Sequence, residues 1–136
     1  MITWTKEFET GSAKLDQQHQ MLIAKLNVLG GLLHTTNPSP QEMVFIDDLV
    51  EYLESYANVH FADEEECMQQ HECPADALNR QEHDRFRAFI REYRRVYEAN
   101  GFRVEALRTL HADMRAWIME HILKVDTQLR PCIEKH

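Results

Sequence analysis

A chain of 136 residues with 43% hydrophobic content can bury one core but is too short for two ordinary domains. Its formal charge of −8 repels phosphate backbones, and with no basic stripe carrying interleaved aromatics to offset that repulsion, nucleic acid is a poor partner. Charges interrupt the apolar residues well short of the roughly 20 needed to span a membrane, and Met1 to Glu7 lack the marks of an export signal, which predicts a soluble, cytoplasmic protein with no membrane insertion.

Residues 1–14 are expected to form an irregular arm, with Trp4 and Phe8 packed against the rest of the chain. A first helix is predicted over about residues 16–35. Leu15, His19, Leu22, Ile23, Leu26, Leu29 and Leu33 recur there at steps of three and four, which places His19 on the core-facing stripe, while Gly30 and Gly31 weaken the last turns. The Asn37-Pro38-Ser39-Pro40 break introduces a second helix over about 41–70, carrying Val44, Phe45, Leu49, Tyr52, Leu53, Tyr56, His60 and Cys67 and ended by Pro74. The third, about 75–100, carries Leu78, Phe86, Phe89, Ile90, Tyr93 and Tyr97, and Gly101 is placed to cap it. The fourth runs over about 103–129. No strand-like alternation or internal repeat competes with this pattern. Long helices joined by short loops pack as antiparallel neighbours, so the predicted class is all-α, a single-domain up-down-up-down four-helix bundle over 1–136.

Three cysteines, Cys67, Cys73 and Cys132, form no C-x-x-C pair and are assigned packing roles, with a Cys67/Cys73 redox pair as the sharper alternative. Eight histidines pose the larger question, because histidine is the commonest metal ligand. His60 and Glu64 stand four apart on the second helix and leave one face a turn apart. His121 and Asp126, five apart, can reach one centre from adjacent turns of the fourth. The first helix adds His19 and the third His83. A lone histidine on such a stripe is more often a satisfied core residue. Four of them with Glu64 and Asp126 are different, because a bundle interior does not tolerate that set unless something neutralises and ligates it. A dinuclear metal centre does so. Two carboxylates can bridge two cations while imidazoles fill outer positions, and the mixed nitrogen and oxygen set suits iron, with manganese or zinc allowed by affinity.

These residues resemble the hemerythrin and bacteriohemerythrin family in order and spacing across nearly the whole chain. The pattern reads Trp4, Leu15-Asp16-Gln17-Gln18-His19, His60 through Glu64 to Glu65, Cys73-Pro74, Asn79 to His83, and Trp117 through His121 to Asp126. The resemblance implies two iron ions joined by an oxo or hydroxo bridge. His19 and His60 would serve the iron that binds dioxygen, His83 and His121 would serve the other, and Glu64 and Asp126 would bridge them. It also implies dioxygen as a ligand and small anions such as azide as probes.

One position departs from the family. Four residues before His83 the pattern calls for a histidine ligand and this chain has Asn79, whose amide is shorter in reach and a poorer ligand. Water or hydroxide is expected in the vacated position, with His71 as a less favoured replacement. His34, His111 and His136 are read as surface or packing residues. With an imidazole missing, oxidation is favoured over reversible carriage. The first expectation is therefore an oxygen or redox sensor, not an enzyme, acting on a signalling output domain or protein through diferrous/diferric interconversion. The alternatives are a free-standing carrier, store or scavenger of O2, and a di-iron enzyme acting on peroxide or nitric oxide. A ferritin-like oxidase is disfavoured because no histidine has Glu three residues before it, and a metalloprotease because H-E-x-x-H is absent.

Overall fold

The computed structural model describes residues 1–135, and of Asp126, Thr127 and Lys135 only the backbone; His136 lies outside the described residues. The chain forms α1 (Ala13–Gly30), α2 (Pro40–Gln70), α3 (Asp76–Asn100) and α4 (Val104–Lys135), preceded by a short 3-10 turn at Lys6–Phe8. Each helix packs on the next and α1 also packs on α4, which closes an all-α four-helix bundle with no strand among the described residues. No helix among them is long and apolar enough to cross a membrane.

Local chemistry sets the helix limits. Ser12 caps α1, its Oγ accepting from the Leu15 N–H at 3.3 Å, so the helix begins three residues before the expected Asp16. The Asp16 carboxylate turns back to accept from the backbone N–H and the hydroxyl of Thr10, which pins the arm, and Asn27 pairs with both backbone groups of Ile2. Phe8 is buried and Trp4 half-buried against the core, as expected. Helix α1 stops at Gly30, short of residue 35. A Cβ at Gly30 would lie 2.9 Å from His111 Nε2, so this glycine lets α1 approach the half-buried His111 ring on α4.

A full capping box starts α2, with Ser39 and Glu42 exchanging side-chain-to-backbone bonds and Pro40 in the first turn. Its end is a Schellman turn: the Cys73 N–H reaches the Met68 carbonyl at 2.9 Å and the Glu72 N–H reaches that of Gln69, with Glu72 left-handed at φ 52°. Gly101, at φ 74°, closes α3 by donating to the Tyr97 carbonyl. Helix α4 continues past the expected limit near Leu129 and through Pro131. Leu129, Cys132 and Ile133 pack with Leu15, Met68 and Cys73, and Arg130 bonds the Glu9 carbonyl, so tertiary contacts outweigh the local cost of proline.

The core corrects the predicted stripes in two places. On α2, Val44 and Phe45 are exposed, and Ile46 and Val50 take the buried phase with Leu49 and Leu53. On α3, Leu78 is exposed. All three cysteines are free thiols in one apolar cluster at the end of the bundle. Burial, together with a thiol contact from Cys132, pushes Cys73 up to about 12, which keeps it protonated and suits the packing role.

Candidate metal centre

One residue from each helix faces the middle of the bundle: His19 from α1, His60 from α2, His83 from α3 and His121 from α4, all at most 3% exposed. Glu64, one turn after His60 and fully buried, lies among them. Its Oε2 is 3.3 Å from His19 Nε2 and 3.2 Å from His60 Nε2; its Oε1 is 2.9 Å from His83 Nε2 and 3.0 Å from His121 Nε2. The carboxylate therefore divides the four rings into two pairs. His19, His60 and Glu64 form one group able to hold a cation, and Glu64, His83 and His121 form a second.

Outer contacts fix how the rings present themselves. His60 Nδ1 lies 2.8 Å from Gln18 Oε1, while the Gln18 amide nitrogen donates to Asp63 Oδ2 at 2.7 Å and Asp63 pairs with Lys14. An acid below Gln18 requires its nitrogen there, so its oxygen faces the ring and His60 carries its proton on Nδ1. His83 Nδ1 lies 2.8 Å from Glu65 Oε2, and Glu65 is held in turn by Arg80 at 2.8 Å. The same logic puts the His83 proton on Nδ1. Both Nε2 lone pairs are thereby aimed at the ionised oxygens of Glu64. His83 stacks on Phe61 at 3.9 Å between centroids and His121 on Trp117 at 4.3 Å, and Trp117 is anchored to the Glu82 carbonyl.

The electrostatics match this arrangement. Burial lowers His19 and His121 below the ordinary imidazole range, leaving them neutral and able to ligate. Burial raises the Glu64 carboxyl, but where the surrounding histidines are protonated their charges and hydrogen bonds, His121 first, outweigh it and hold the group well below the carboxylate range. Lone pairs and carboxylate oxygens about 3 Å apart repel unless a cation lies between them. Two ligand atoms each about 2.1 Å from a shared ion, at a right angle, are also about 3 Å from each other. Both nitrogens of His19, His60 Nε2 and Glu64 Oε2 lack hydrogen-bond partners among the described residues, an unsatisfied set that suits a metal ion in the first group.

The other predicted site residues divide. Asn79 is buried one turn before His83, and neither amide atom has a partner among the described residues. Asp126 falls within α4, but its side chain is outside the described residues. His71 caps the end of α2 with its Nδ1 3.0 Å from the Cys67 carbonyl and is in neither group of convergent ligand atoms. His34 is exposed. The sequence pattern alone gives Gln18 and Glu65 no role. Their signal in the sequence is adjacency to His19 and Glu64, but the rings they serve come from other helices.

The family described as Hemerythrin HHE cation binding domain matches residues 10–133. Over its whole length the chain is 27% identical to a bacteriohemerythrin of Stenotrophomonas maltophilia, covering 84% of that protein. It is 29% identical over 134 residues to a bacteriohemerythrin of Methylococcus capsulatus, spanning 98% of this chain and 97% of the relative. A bacteriohemerythrin of Clostridium acetobutylicum is 27% identical over 128 residues, spanning 94% of this chain and 98% of the relative.

Proposed function

Because the chain belongs to the hemerythrin family, whose domain implies a non-heme di-iron site, we propose that it binds and reacts with O2 there and serves as an oxygen or redox sensor. The observation that carries this reading is that each oxygen of Glu64 faces its own pair of histidines. His19 and His60 would hold one ion and His83 and His121 the other, with Glu64 shared between them and Asp126 as a second shared ligand by family resemblance. A bound iron pair supplies one-electron changes at each ion and an open position for a small ligand.

The chain's own residues do the rest. Gln18 and Glu65 hold the His60 and His83 rings by Nδ1, so that Nε2 of each faces Glu64. Phe61 and Trp117 cover the His83 and His121 rings and exclude water from that flank. The sensor reading draws on a further feature: among the described residues, Glu64 touches histidines from all four helices. A change of charge at the centre acts through one carboxylate on every helix at once, and that shared contact is the route to a tilt of the bundle. Asn79 in place of a histidine favours oxidation over reversible carriage.

A second reading, a free-standing carrier or store of O2, has its own support. The Methylococcus capsulatus and Clostridium acetobutylicum relatives are matched over 97% and 98% of their length, so those proteins consist of little besides this domain. The two readings separate on one experiment. Reduced protein of known iron content is exposed to a measured amount of O2 and then returned to argon. The sensor reading predicts that the O2 is consumed and the iron recovered as diferric; stoichiometric release of O2 with the iron still reduced overturns it in favour of the carrier.

A further inference from the structure

Asn79 does more than leave a ligand position vacant. It lines a partly open cavity of about 20 Å³ together with Met68, His121, Lys124, Val125 and Gln128. One water needs about 10–15 Å³ of such space, so the cavity takes a single water-sized ligand and is too small for a three-atom anion. The amide is 4% exposed, and both its donor and its acceptor are without partners among the described residues. A buried amide in that state is destabilising unless a bound molecule satisfies it.

Three elements place this cavity beside the second metal position. Asn79 stands one turn before His83 on the same face of α3. His121, whose Nε2 is 3.0 Å from Glu64 Oε1, lines the cavity directly. The lining is not basic, because Lys124 is already engaged by Glu82 at 3.6 Å and Glu120 at 3.2 Å. Among the described residues that line it, the cavity therefore offers no unpaired cation to draw in a larger anion, and size and hydrogen bonding govern what enters.

The geometry points to a second ligand-exchange position of the metal centre, one that admits a single water-sized donor, water or hydroxide, held by the Asn79 amide, while larger ligands are confined to the His19 and His60 side. This inference rests on the reading that Glu64, His83 and His121 hold one of two irons. Fluoride is a suitable probe, being the size of the expected occupant, and azide is the probe that should not fit.

The test is a pair of absorption titrations on diferric protein whose iron content has been measured. With two irons per chain, azide should saturate at one per chain, and fluoride should still change the spectrum of the azide-saturated protein. Asn79→Gln, which extends into the cavity by one methylene, and Asn79→His, which fills it, should each weaken the fluoride step at least tenfold and leave the azide step unchanged. Mutual displacement of fluoride and azide in the parent protein, or an unchanged fluoride step in both variants, would overturn the second position while leaving the di-iron reading intact. Fewer than two irons per chain would overturn both.

Discussion

Glu65→Ala removes the carboxylate that holds the His83 proton on Nδ1, without touching any atom that faces a metal position. The parent contact is a 2.8 Å bond to a fully buried ring, backed by Arg80 on the other oxygen of Glu65. Losing it frees the ring to change tautomer and leaves a buried N–H unpaired. Outer partners of metal-bound histidines are typically worth 10–100-fold in metal affinity, or about 1.4–2.7 kcal/mol. The metal-free protein should also lose about 1–3 kcal/mol from the orphaned donor. Gln18→Ala is the companion on the other side, because His60 is the ring that Gln18 contacts among the described residues. Iron release to a competing chelator, followed with time and chelator concentration, should show one iron weakened in each single variant. The double variant should weaken both, with nearly additive effects, since the two residues contact different rings. Two irons released from Glu65→Ala as slowly and at the same chelator concentration as from the parent would refute the claim that this carboxylate sets the ligating tautomer.

Glu64→Ala should abolish retention of both irons, because each oxygen serves a different histidine pair; a variant that keeps one iron per chain on metal analysis would show that the second position does not depend on this bridge. Gly30→Ala should destabilise the fold by about 1–2 kcal/mol in chemical unfolding, since the 2.9 Å approach to His111 exceeds the roughly 1 kcal/mol that alanine gains in a helix; a net gain in stability would mean that the ring moves aside freely. Glu72→Gly should stabilise the protein by about 1 kcal/mol in the same assay by relieving a left-handed residue at φ 52°, and no gain would mean that the backbone carries little strain there.

How far the sequence reaches depends on whether a feature is local. The positions of His19, His60, Glu64, His83 and His121 on inward faces follow from spacing along single helices, and the structure brings those five together. Capping at Gly101 is equally local, and the structure shows it closing α3. On α2 the run from Met43 to Ile46 offers several apolar phases, and spacing alone favoured Val44 and Phe45 where packing buries Ile46. Gln18 and Glu65 were not legible as partners because the rings they orient lie 42 and 18 residues away. The passage of α4 through Pro131 was hidden for the same reason: the contacts that hold those turns come from Leu15 and Cys73. Asn79 could be recognised as a departure from the family pattern, but the cavity beside it needs residues of α2 and α4 as well as α3.

The central claim is that one carboxylate joins two metal positions. It is tested most directly by diffraction at the iron absorption edge from crystals of protein purified without added metal. The account predicts two iron peaks per chain, one beside Oε2 of Glu64 with His19 and His60, the other beside Oε1 with His83 and His121. A single peak, or two peaks that do not share Glu64, would contradict it.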